Sequence, residues 1–179
     1  MSARCFREDP SPLPAHQLDL LPALFQGPPA RCDVARAVTE LFFLDEATAL
    51  AAGHRPCAEC QRGRYNEFMR CWALGNPGLV GKEKLRAPLV DAVLQKERFG
   101  PKGEKVKWRA MLGELPAGVM VEMGKGKACL VTEDGLKPWS PDGYGKLKKA
   151  PRDRDVLSLT PGSVVKGIEA GFVPASDAQ

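Results

Sequence analysis

Histidine is nearly absent from this chain. Only His16 and His54 occur among 179 residues, so a His-based catalytic triad has almost no candidates. Neither G-x4-G-K-[ST] nor G-x-S-x-G is present, which removes the phosphate-loop and nucleophile-elbow chemistries. No apolar run approaches the roughly 20 residues needed to cross a bilayer. Met1 to Asp9 contains no apolar stretch of the signal-peptide kind. These absences predict a cytoplasmic protein with no membrane partner.

Charge is also modest. Lys and Arg number 26 against 22 Asp and Glu, a net charge of +4. That permits a polyanionic partner without requiring one. The distribution is more telling. Residues 82 to 109 hold nine Lys or Arg against four Asp or Glu, and residues 146 to 155 hold five against two. Solvated faces of ordinary helices and loops explain such runs as readily as a binding surface does.

Six cysteines at irregular spacing do not make a disulfide framework in a chain of this length. In a reducing compartment they read as metal ligands plus buried thiols. The pair within Gly53-His54-Arg55-Pro56-Cys57-Ala58-Glu59-Cys60 stands out. A C-x2-C turn points both sulfurs into one space, where they can share a metal ion. A redox C-x2-C usually opens a helix after a strand in a βαβ unit, a context missing here. Pro56 to Cys60 also matches the second half of the zinc deaminase signature, but the upstream His-x-Glu is missing.

The stretch Leu41-Phe42-Phe43, then Glu46-Ala47, then Ala51-Ala52-Gly53-His54-Arg55-Pro56-Cys57-Ala58-Glu59-Cys60 resembles the metal-binding domain of the bacterial Ada DNA-repair proteins. The resemblance covers about residues 32 to 62. It implies a zinc-binding unit with Cys57 and Cys60 as ligands, and a nucleic-acid or DNA-repair context. The family's earlier C-x3-C pair is incomplete: Cys32 lies 25 residues before Cys57, and Pro28 stands four before it. The family's methyl-accepting thiol is therefore missing, and methyl-acceptor activity is not carried over. Cys32 is the third candidate ligand. Cys5 would complete the site if the N-terminal arm folds back. His54 stands where family members carry an aromatic residue, which argues against ligation. Cys71 and Cys129 read as core thiols, and His16 is a remote candidate.

A closed four-cysteine zinc site is structural and catalyses nothing by itself. Arg55, Arg62 and Arg64 flank the metal pair and suit contacts to a phosphate backbone, DNA or RNA. Lys146, Lys148 and Lys149 follow Trp139 to Gly145, a loop whose aromatics either stack a base or anchor packing. Two other readings stay open. One is an enzyme of unrecognised class, with a site between the halves near Trp139, Asp142 and Tyr144. The other is a structural or interaction protein whose metal replaces missing core.

The predicted fold is α+β, with a zinc-bearing helical region over 1–100 and a small antiparallel sheet with a packed C-terminal helix over 101–179. The first thirty residues, rich in proline, wind over the surface, with Leu18, Leu20, Leu21, Leu24 and Phe25 as an anchoring strip. Leu41 to Phe43 is strand-like. Asp45 caps a helix from Glu46 to Ala52 that ends at Gly53. A second helix spans Glu59 to Leu74, burying Tyr65, Phe68, Met69 and Trp72. A third spans Lys84 to Phe99, burying Leu85, Leu89 and Val93, with Leu94 as a further candidate. Strands follow at Val119 to Met123, Ala128 to Thr132, Leu136 to Trp139 and Val156 to Leu159. The last helix has Thr160 as N-cap and Pro161 at its first position.

Overall fold

The computed structural model describes residues 4–7, 40–81, 85–124 and 126–178, with residues 4–7 and 40 described by their backbone. The proline-rich segment with its leucine strip, and with it Cys32 and His16, lies outside the described residues. Two short strands, β1 (Arg4–Arg7) and β2 (Glu40–Phe43), pair antiparallel. Helices α1 (Glu46–Ala51), α2 (Arg62–Gly75) and α3 (Ala87–Arg98) follow. Then come β3 (Trp108–Met111), β4 (Met120–Glu122), β5 (Ala128–Thr132), β6 (Gly135–Ser140), β7 (Gly143–Tyr144), β8 (Asp155–Ser158) and α4 (Gly162–Glu169). The second sheet is antiparallel throughout, in the order β3-β8-β4-β5-β6-β7. The class is α+β.

The sheet is covered on both faces, which explains why its strands alternate so poorly in sequence. Val121, Cys129, Val131, Leu136 and Val156 face a large core with Phe68, Trp72, Val90, Leu94, Val164 and Ile168 from α2, α3 and α4. Met120, Ala128 and Leu130 face a smaller core with Ala47 and Ala51 of α1 and Ala178 of the C-terminal tail. The large core draws on residues from both sides of position 100, so the sequence-based boundary there does not divide the packing.

Several elements start later than the sequence predicts. Helix α2 begins at Arg62 because Cys57 to Gln61 forms its own turn, closed by Gln61 N–H on the Cys57 carbonyl at 3.0 Å. Helix α3 begins at Ala87, with Pro88 in its first turn; proline fits there and not deeper in a helix. The buried residues of α3 are therefore Val90 and Leu94, while Leu89 is exposed and Leu85 precedes the helix. Thr160 does not cap α4: its Oγ1 accepts from Met120 N–H at 2.9 Å. Pro161 takes the N-cap position. The carboxylate of Glu97 accepts from Ser163 N–H at 3.2 Å, so α3 supplies the anion at the N-terminus of α4.

Helices α2 and α4 meet where both carry glycine. A Cβ on Gly75 would lie 2.2 Å from the Lys166 carbonyl oxygen, and one on Gly167 would lie 3.3 Å from Trp72 Cα. Backbone blocks the first position, whereas the second needs a shift of a few tenths of an ångström. We expect Gly75→Ala to cost about 2 kcal/mol or more through overpacking, and Gly167→Ala clearly less. Urea unfolding of both variants measures this, and equal losses would contradict the observed crossing.

Candidate metal centre

The cysteine pair is presented by a chain of local structures that begins at Asp45. Its Oδ1 accepts from Thr48 N–H at 2.8 Å and from Thr48 Oγ1 at 2.6 Å, forming the N-cap of α1. At the other end Gly53 N–H reaches the Leu50 carbonyl at 2.9 Å and His54 N–H reaches Ala49 at 3.0 Å. This is a Schellman closure, which needs a left-handed residue at Gly53; its φ is 83°. The ring of His54 then packs on Phe43 of β2, with centroids 5.3 Å apart.

Arg55 and Pro56 carry the chain from there into the turn. Arg55 grips Asp91 of α3 with both ends of its fork, Nε–Oδ1 at 2.7 Å and Nη2–Oδ2 at 2.8 Å. Cys57 is buried and Cys60 is exposed. The N–H of Cys60 donates to Cys57 Sγ at 3.4 Å. Cys57 and Cys60 thus share a tight turn immediately before α2.

The surroundings of His54 are electropositive. Arg98 Nη1 lies 3.1 Å from His54 Nε2. A guanidinium only donates, so Nε2 accepts and the ring proton sits on Nδ1. Burial first, then the charges of Arg98, Lys105 and Arg55, pull the His54 pKa down to about 3. Lys105 donates to the Ala51 carbonyl at 2.7 Å, a cation at the C-terminus of α1. Burial, followed by Arg98 and Lys107, lowers its pKa to about 8.

The structure distributes the predicted site residues unevenly. Cys5 lies in β1 opposite Phe42, one register position from the Arg4–Phe43 pair. Its backbone therefore belongs to the ribbon on which His54 packs. Cys32 lies outside the described residues. Among the described residues no three His, Cys, Asp or Glu side chains gather as a metal-binding group. Cys71 and Cys129 sit in the large core.

Arg64 is drawn inward. It binds Glu46 through Nε at 3.0 Å and Nη2 at 2.5 Å, and Glu67 through Nη1 at 2.5 Å. Its guanidinium also lies 4.4 Å over the Phe172 ring. Arg62 is exposed, as are Lys146, Lys148 and Lys149. Trp139 and Tyr144 are partly buried and pack against the smaller core. Tyr144 Oη donates to Asp45 Oδ2 at 2.7 Å. Burial and then the Asp45 charge push its pKa well above the usual phenol range, so it is no acid–base catalyst near neutrality.

Asp91, Arg98 and the carboxylates of Asp45 and Glu46 hold this region together, and sequence reasoning assigned none of them a tertiary partner. Only the N-cap of Asp45 carried a local signal. Compared with protein-family models, curated proteins and solved structures, the chain matches none.

The His54 environment predicts a pH effect of definite sign. Its folded pKa lies below the unfolded value near 6.5, so its contribution to stability is present above that value. The contribution is lost as pH falls towards about 3. The ring resonances of His54 should stay those of a neutral imidazole through pH 5 in an NMR titration. A midpoint near the ordinary histidine value would contradict the packing against Phe43 and Arg98.

Proposed function

We propose that this chain is a cytoplasmic zinc-binding protein of Ada-like type. Cys57 and Cys60 supply two thiolates, Cys32 a third and Cys5 the fourth. In this reading it acts as a nucleic-acid-binding or DNA-repair-associated module without methyl-acceptor activity. The observation that carries the reading is the Cys60 N–H donated to Cys57 Sγ. An N–H aimed at a sulfur stabilises negative charge there, the form a metal ligand must take. The β1–β2 pairing supports Cys5 as a partner, because it brings that residue's backbone to the ribbon beside His54. Four thiolates leave no open position on zinc, so the metal's role is to fasten the N-terminal segment to the fold.

A specific observation favours a second reading, a purely structural metal without nucleic acid. Arg55 and Arg64, two of the three arginines beside the cysteines, are committed to Asp91 and to Glu46 with Glu67. On this ground Arg62, exposed beside the cysteines, is the one of the three left for a phosphate contact there.

Purified protein prepared without chelator should carry about one zinc per chain by elemental analysis. Cys57→Ser should bind the metal more weakly and melt at a clearly lower temperature, whereas Cys129→Ser should bind it as wild type does. A fully folded, metal-free preparation would overturn the proposal.

A further inference from the structure

The segment after β7 is a line of uncommitted cations. Gly145 N–H bonds the Pro138 carbonyl at 2.7 Å, and Lys148 exchanges two 2.8 Å bonds with Leu136, so the segment runs along the outer edge of β6. Between the pairs Trp139–Tyr144 and Leu136–Lys148, β6 advances three residues and the segment four. The extra residue is a bulge, a device that re-aims side chains at a sheet edge. Ala150 packs against the large core. The chain then crosses over to β8, where the carbonyls of Arg152 and Arg154 accept from Gly113 and Leu112 at 2.8 and 2.9 Å.

Lys146, Lys148, Lys149, Arg152 and Arg154 are all exposed. The side chains of these five residues make no hydrogen bond or ion pair among the described residues, in contrast to Arg55 and Arg64. Lysines on an outer strand commonly serve to discourage edge-to-edge pairing. That accounts for Lys146 and Lys148. It does not account for Arg152 and Arg154, which lie on the crossing and beside β3 and β8.

We infer that this crossing, residues 145–154, is a docking surface for the phosphate backbone of duplex nucleic acid. The inference rests on the nucleic-acid part of the function proposed above and moves its contacts away from the cysteine turn. Protein interfaces are depleted in lysine and enriched in aromatics, whereas this surface carries no aromatic side chain and one exposed leucine, Leu147. A membrane surface would call for more apolar residues than that. Residues 145–154 hold no aromatic side chain to stack a base, and Trp139 and Tyr144 are partly buried against the smaller core, so binding is expected to be independent of sequence and to favour duplex over single strands.

The test is fluorescence anisotropy with a labelled 20-base-pair DNA duplex and the matching single strand, at 50 and 200 mM salt. Five phosphate contacts predict a salt slope near −4.5, so wild-type affinity for the duplex should fall roughly 500-fold between the two. Replacing all five cations with alanine should nearly abolish that slope. Replacing Lys146, Lys148 and Lys149 with arginine should preserve it. A control with Lys102→Ala and Lys166→Ala should bind like wild type. Because the five side chains are exposed, a melting temperature close to wild type checks that the variant is folded.

If wild type binds but the five-alanine variant binds equally well, this surface is wrong while the nucleic-acid reading stands. If wild type binds neither oligonucleotide at 50 mM salt, both are overturned. Sedimentation with phosphatidylserine vesicles in place of duplex binding would likewise overturn the inference.

Discussion

Two adjacent buried carboxylates, Asp45 and Glu46, tie together parts of the chain that are far apart in sequence. Neither is accessible to solvent. Asp45 accepts from Thr48, from Tyr144 at the sheet edge and from Asp177 N–H in the tail. Glu46 accepts two bonds from Arg64 of α2 and one from Ala175 N–H. Burying a carboxylate is tolerable only when its oxygens are filled in this way. Removing one partner of such a pair typically costs about 3–5 kcal/mol, since the other charge is left buried. The position of α1, and so of everything hung on its C-terminus, follows from this pair.

The same pattern recurs outward from it. Lys105 closes the C-terminus of α1, Arg98 lies against Gly53 and His54, and Asp91 holds Arg55. Each contact fixes one further residue of the path from Asp45 to Cys57. The cysteine turn is thus a rigid end of a braced segment, even though only its own five residues form the turn. This bracing also explains why Arg55 and Arg64 are drawn inward. They serve the scaffold, whereas Arg62 stays exposed beside the cysteines and the larger group of uncommitted cations lies on the crossing between β7 and β8.

Local rules made much of this legible. Asp45 and Gly53 announced the two ends of α1, and the face of Phe68, Met69 and Trp72 on α2 followed from helical spacing. What was hidden depended on distant partners. Strand β1 is four residues long and pairs with a strand more than thirty positions away, so no turn signal joins them. Strands β3 and β7 lack the apolar alternation that marks a strand, because they lie at the edges of the sheet. Thr160 looked like a helix cap because the local pattern fits, yet the Met120 amide claims its hydroxyl. For the site, the turn chemistry of Cys57 and Cys60 was readable. The commitment of Arg55 and Arg64 was not, because a charged side chain carries no mark of its partner.

The account stands or falls on what Cys57 and Cys60 bind. Zinc K-edge X-ray absorption on protein purified without added metal addresses this directly. The account predicts a first shell dominated by sulfur at about 2.3 Å, reduced in Cys60→Ser by one sulfur. A first shell of oxygen and nitrogen alone at about 2.0–2.1 Å, unchanged in that variant, would contradict it.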